Sequence, residues 1–342
     1  MKEKEWTAIR RIFLGLAILA WVMVGWGYGV AFAAKGQLRL AHHYPATHMM
    51  GKGYTLFAKV VEEKTNGQID VKIYPGGTLI DGHESFDGVK SGTVDASCMI
   101  SNYQVGHIPE LDSFCLPFLF DDHDHFRRTL DNGLFKAISD LYAKNNIKLL
   151  NYFPKGATHV YHKSKHLMTP EDFKGEDIRG LGGYVTLMIQ QLGANAVTIG
   201  SPGEVTTALQ RGMIHGITTN FTAHIGRGWW EYVPYVSYLN LNENGEGLGM
   251  NMDYWNKQTP EMQKVLMEAA HEMNELEWKL IKESDEEECF VEWKKRECPV
   301  KVITPAQKAV MFKTLQPLYE KAKKELPMSP LALKLAEENV RK

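Results

Sequence analysis

Arg179 closes a short strand-like segment, Asp177-Ile178-Arg179, and is followed by Gly180, Gly182 and Gly183. A planar guanidinium meets a carboxylate with two parallel hydrogen bonds and keeps its charge at any ordinary pH. The glycines leave room for a ligand to approach the backbone, and the helix that begins there presents free N–H groups to an anion. Further polar side chains stand at the carboxyl ends of other strand-like segments: His42, His43 and Tyr44; Ser101, Asn102 and Tyr103; Lys155 to His159; Thr218, Thr219 and Asn220. In open α/β sheets, ligands bind beyond those ends. Such a set can hold and orient an anion. The sequence contains no G-x-S-x-G, H-E-x-x-H or G-x-x-x-x-G-K-[ST], and Gly180-Leu181-Gly182-Gly183 lacks the full dinucleotide spacing. The residues therefore point to binding without catalysis and without a cofactor. An exported hydrolase using His43 or His159 is the alternative.

Two clusters carry metal-ligand residue types. Asp121-Asp122-His123-Asp124-His125 is contiguous, so its side chains diverge, and it reads as the exposed cap of a helix over Phe126 to Leu130. His42 and His43 with His48 are likewise read as non-ligands. There is no C-x-x-C to support a cysteine zinc site. Cys98 and Cys115 lie in apolar surroundings. Nine residues of mostly helix hold Cys289 and Cys298 roughly 10 Å or more apart, beyond disulfide reach. Buried free thiols are expected.

The elements that position these residues come from a chain of 342 residues, 44% hydrophobic and 23% charged, which is globular composition and not that of a disordered chain. A formal charge of −2 gives no basic stripe for nucleic acid. Lys2, Lys4, Arg10 and Arg11 precede an apolar run from Ile12 to Val24, and Ala31-Phe32-Ala33 supplies a small-x-small cleavage pattern. Residues 1–33 are expected to be a signal peptide, cleaved before Ala34, which places the mature chain in the periplasm; an uncleaved anchor is the alternative. Beyond it, strands and helices alternate. Gly53 to Thr65 has helical spacing, Ile69 to Tyr74 alternates strictly, and Ala96 to Ile100 is a further strand. The pattern recurs with strands at Lys148 to Phe153, Asp177 to Arg179, Ala196 to Ile199 and Ile214 to Thr218. Such repeats indicate mostly parallel sheets covered by helices. The charged stretch Glu272 to Glu297 reads as a solvated helical face.

Several segments resemble a known family. Tyr74-Pro75-Gly76-Gly77-Thr78-Leu79 with Glu84, Lys90-Ser91-Gly92-Thr93-Val94-Asp95, Leu116-Pro117-Phe118-Leu119-Phe120, Thr169 through Arg179, Leu192-Gly193-Ala194 and Glu204 through Gly212 resemble segments of the solute receptors of tripartite ATP-independent periplasmic (TRAP) transporters. The resemblance runs in order over roughly residues 37–320. It implies an α/β fold, a class II-like two-domain periplasmic binding protein, each domain a mixed sheet flanked by helices, with a ligand cleft between them. It also implies a small organic acid as ligand, a membrane permease as partner, and Arg179 as the grip on the ligand carboxylate.

Departures from the family pattern shape the expected site. Ile214-His215-Gly216-Ile217-Thr218-Thr219-Asn220 has His215 in place of the family acid, and the ligand-facing asparagine falls on Thr219 or, after a one-residue shift, on Asn220. Gly156-Ala157-Thr158-His159 lacks the second arginine of many members. Tyr184, Phe221, Trp229 and Trp230 lie near the strand ends and offer an aromatic wall. The expected site is Arg179 with His43, Asn102, Tyr103, His159, Tyr184, Thr219, Asn220 and Trp230, taking a monocarboxylate with an apolar or aromatic body. The first domain is expected over 36–155 plus about 245–285, the second over 156–244 plus about 286–342, with crossings near 150–160 and 240–252.

Overall fold

Leu38 and Leu40 of β1 (Gly36–Ala41) are fully buried, while Ile69 and Val71 turn inward from β2 (Ile69–Tyr74). Every residue of β3 (Ala96–Ile100) is buried, as in a strand covered on both faces, and its one polar side chain, Ser97, donates its hydroxyl to Ala41 O at 2.8 Å. The computed structural model describes residues 36–45, 48–199 and 202–340; the expected signal segment lies outside the described residues. With β4 (Ile147–Leu149), β5 (Phe153–Pro154) and β11 (Gly245–Asn251), these strands form a six-stranded sheet in the order β2-β1-β3-β11-β4, with β5 also on β11. A second six-stranded sheet, ordered β12-β10-β6-β9-β7-β8, takes β6 (His159–His162), β7 (Asp177–Gly180), β8 (Asn195–Thr198), β9 (Gly216–Thr219), β10 (Tyr235–Tyr238) and β12 (Val300–Val302).

Both sheets are mixed rather than mostly parallel. β1 pairs β3 in parallel, as β7 does with β8 and β9, whereas β11 is antiparallel to β3 and β4, and β6 is antiparallel to β9 and β10. The antiparallel strands β6 and β11 are those laid down directly after the chain crosses from one sheet to the other. The crossings are themselves paired: Lys155 N–H donates to Asn244 O at 2.7 Å, Thr158 N–H to Asn242 O at 3.0 Å and Leu241 N–H to Thr158 O at 2.9 Å. The single strand expected over Lys148 to Phe153 is broken into β4 and β5. At the break, Asn151 replaces ladder bonds with its side chain, accepting from Leu248 N–H at 2.8 Å and donating to Ala270 O at 3.0 Å.

Helix α1 (Met49–Lys64) packs on the first sheet, and α2 (His123–Thr129) is capped by Asp122, whose carboxylate accepts from His125 N–H at 2.6 Å. The second sheet carries α3 (Gly183–Gln191) and α4 (Phe221–Gly226). The 24-residue α5 (Pro260–Glu283) starts at Thr259, whose hydroxyl accepts from Met262 N–H, with Pro260 in the first turn. Its Leu266, Ala269, Ala270 and Met273 belong to the first core. A wide helical turn over Ser284–Glu288 then leads to α6 (Cys289–Lys295), whose Trp293 sits in the second core. Helix α7 (Ser329–Glu338) returns to the first core through Ala332 and Ala336, although Leu315, Leu318 and Leu326 before it pack in a third core, with Met188 and Ile189 of α3.

From Gln37 onward the chain is one compact unit. Among the described residues, no helix is long and apolar enough to cross a membrane. Cys98, Cys115, Cys289 and Cys298 are buried free thiols. The Asp121–His125 segment is a helix cap whose Asp121 and Asp122 are exposed, as expected, while His123 and His125 are buried.

Candidate functional site

The carboxyl ends of strands from both sheets face a cavity of about 320 Å³. The turn after β1 brings His43, Tyr44 and His48; the helical turn after β3 brings Asn102 and Tyr103; the crossings bring Lys155, Thr158 and Asn244. From the second sheet come Arg179 and Leu181, Thr219 and Asn220 at the end of β9, then Arg227 and Trp229.

Arg179 is only 6% exposed. Its Nε–H donates to Ile199 O at 3.2 Å and Nη1–H to Thr218 O at 3.4 Å, while its own carbonyl accepts from the Thr218 hydroxyl. These bonds fix the guanidinium plane but give it no counter-charge among the described residues. Burial, with Arg227 nearby, pulls its pKa down to about 10, so it is charged at neutral pH. A buried cation without an anion is costly, and an incoming carboxylate relieves that cost.

Around Arg179 the walls are polar and unpaired. Both amide atoms of Asn102, Oδ1 of Asn244 and Nε2 of His43 are buried with no protein partner. Burial first, then Lys155 and Arg227, pull the His43 ring down to about 2, so it is neutral. Tyr44 is held from below, its hydroxyl and that of Tyr54 both donating to the buried Glu246. Asn220 lines the cavity, yet its amide is engaged: Nδ2–H donates to Lys155 O, and Oδ1 caps α4 by accepting from Ala223 N–H at 3.0 Å.

The structure brings Arg179, His43, Asn102, Tyr103, Thr219 and Asn220 together at this cavity. It directs His159, Tyr184 and Trp230 elsewhere. His159 is fully buried, stacked on Tyr238 at 4.1 Å, with Nδ1 accepting from Asn240 N–H at 3.2 Å. Its predecessor Thr158 lines the cavity instead, because successive residues of a strand face opposite ways. Tyr184 belongs to the core beneath α3. The start of α3 is not open to a ligand either: buried Asp112, pushed up to about 6 by that burial, accepts from Tyr184 N–H. Trp230 packs under Arg296 at 5.4 Å, and its neighbour Trp229 takes the cavity wall, its indole N–H donating to the Thr206 hydroxyl at 2.9 Å. Phe221 lies against Trp293 in the second core.

Arg227 escaped the reading from strand ends because it sits past a helix. A signal existed: Asn220, Ala223 and Arg227 recur at helical spacing, and all three line the cavity.

A second cluster lies where the crossings meet α2 and α5. Buried His123 has Nδ1 3.3 Å from Glu243 Oε2 and Nε2 3.2 Å from Asp285 Oδ2. Asp285 also accepts from Ala157 N–H at 2.7 Å. Gly156, at φ +103, lets the crossing pass this close, since an added Cβ would stand 3.2 Å from Asp285 Oδ2. Burial opposes a charged His123, but the two carboxylates outweigh it and hold its pKa well above the usual histidine range.

His162, Glu176 and His215 stand close enough together for a metal ion. Their bonding is that of an ion cluster. His162 Nδ1 accepts from Ser164 and Lys165 N–H, which leaves its proton on Nε2, 3.1 Å from Glu176, where a metal would need a lone pair. Burial works against it, yet Lys165, His162 and His215 together hold the Glu176 carboxyl at about 2.

Residues 40–325 match the family model described as bacterial extracellular solute-binding protein, family 7. The chain belongs to this family. A solute-binding protein of Chromohalobacter salexigens is 26% identical over 327 residues, covering 93% of this chain and 95% of its own. A solved TRAP periplasmic solute-binding protein of the same organism, holding D-glucuronate, has a TM-score of 0.82 at 23% identity and covers 88% of this chain and 99% of its own. One from Haemophilus influenzae, holding L-gulonate, also has a TM-score of 0.82 at 23% identity, with 89% and 100% covered. Family 7 proteins are receptors, and the two-sheet arrangement with helices on both is the fold of these relatives.

Proposed function

We propose that this family 7 receptor serves a TRAP-type uptake system, taking a small organic acid into the cavity through Arg179 and passing it to a membrane permease. The observation that carries this reading is the buried, oriented Arg179 guanidinium, which lines a polar cavity and has no counter-charge among the described residues. Solved relatives that hold D-glucuronate and L-gulonate support an acid with a polar body. An apolar or aromatic body was expected from Tyr184, Phe221, Trp229 and Trp230, of which Trp229 alone lines the cavity. Asn102, Asn244 and His43 instead ask for hydroxyl groups.

A thermal-shift screen of the mature protein against organic acids tests the reading. A ligand at a hundredfold excess over its Kd adds about 3 kcal/mol of stability, well within reach of the method. We expect at least one polar acid to raise Tm and to be recovered unaltered. A screen without response, or an acid consumed by the protein, would refute it. Export follows from the same reading: the secreted protein is expected to begin at Ala34, and an intact mass retaining residues 1–33 would contradict this.

A further inference from the structure

The cavity is lined by Arg179, Lys155 and Arg227 and, among the described residues, by no carboxylate. Arg179 suffices for one acid group. The other two cations are left over, and neither pairs with an anionic side chain among the described residues. Lys155 Nζ rests 5.0 Å from the centroid of Tyr103, and the Arg227 guanidinium 5.4 Å from that of Trp229. Aromatic faces steady a cation while leaving its N–H donors free. Asn220 ties the two together, since its amide donates to the Lys155 carbonyl and its Oδ1 caps α4, at whose end Arg227 stands.

We propose that Lys155 and Arg227 form a second anion subsite, so that the ligand is a small polar acid bearing two negative groups. One group meets Arg179, the other lies at Lys155 and Arg227, and hydroxyls between them satisfy Asn102 and Asn244. A monoanion would leave two like charges uncompensated in a cavity of about 320 Å³. His43 adds no third demand, because burial first, and then Lys155 and Arg227, keep it neutral. The second group is a carboxylate or a phosphate; both suit this pair of donors. The proposal rests on the organic-acid reading of the Arg179 site.

Calorimetry on the mature protein with two matched pairs tests it: D-glucarate against D-gluconate, and 3-phospho-D-glycerate against D-glycerate. We expect the dianion of at least one pair to bind tenfold or more tighter than its monoanion, and the responding pair identifies the second group. Arg227→Gln and Lys155→Gln should each shrink that ratio to below threefold, while Arg227→Lys retains most of it. Apo Tm measured alongside shows that each variant folds. Equal or tighter binding of the monoanions, a ratio unmoved by both glutamine variants, or a monoanion as the best acid of the wider screen overturns the second subsite and leaves the receptor reading standing. Absence of binding by every acid in that screen, or binding indifferent to Arg179→Ala, removes the receptor reading and this proposal with it.

Discussion

Arg179→Ala is expected to weaken binding of the acid selected by the screen by about 2–4 kcal/mol, the cost of truncating one partner of a desolvated charged pair. That corresponds to a roughly 30- to 700-fold rise in Kd. Arg179→Lys keeps the charge but loses the planar fork, and its affinity should fall between the two. The apo protein reports separately on the role of this residue. Arg179 is buried with no counter-charge among the described residues, so removing it should leave apo Tm unchanged or raise it. Calorimetry and thermal melts on the same samples decide: a few-fold change in Kd, or a large fall in apo Tm, would mean that Arg179 holds the fold instead of the ligand.

Breaking the buried cluster at the crossings should cost still more. His123→Ala leaves Glu243 and Asp285 facing each other with no cation, and a loss of about 3–5 kcal/mol is expected, as for any buried pair stripped of one partner. The pH dependence has a definite sign. The folded pKa of His123 is raised above its unfolded value, so its contribution is complete below about pH 6.5 and is lost as pH rises through the folded pKa. Urea denaturation of wild type and His123→Ala at pH 6 and pH 9 measures both. The gap between the proteins should be wider at pH 6 than at pH 9. A gap that widens toward alkaline pH, or a total loss under 1 kcal/mol, would show that the three side chains do not act as a charged unit.

What could be read from the sequence was whatever depends on near neighbours. Strict alternation placed Ile69 to Tyr74, the alternation of strands and helices placed Ala96 to Ile100, and both strands end where expected. Arg179 stood out through the resemblance, as the last residue of the motif Thr169 through Arg179; the strand end, glycine-rich turn and helix start beside it agree with that role. A strand-end rule also located His43, Asn102, Tyr103, Thr219 and Asn220. It does not settle which of two adjacent residues faces the ligand, and there the choices fell on His159 and Trp230 where the cavity takes Thr158 and Trp229. A shift of one position reverses the face of a strand, and in the short helical turn Trp229–Glu231 it swings the side chain about a third of the way round.

Tertiary structure alone decided the charges. Glu272 to Glu297 has the spacing of a solvated helical face, yet Glu277 and Asp285 are buried. Asp285 lies in the wide turn after α5, where the helical register shifts and carries a carboxylate toward His123. The cavity is likewise assembled from parts distant in the chain: Lys155 on a crossing, Arg179 in β7 and Arg227 beyond α4. Local sequence fixes each backbone segment, because propensity and periodicity act over a few residues. Which cations share one small volume, and which acids lose their water, depends on how both sheets and their helices meet, and no spacing along the chain encodes that.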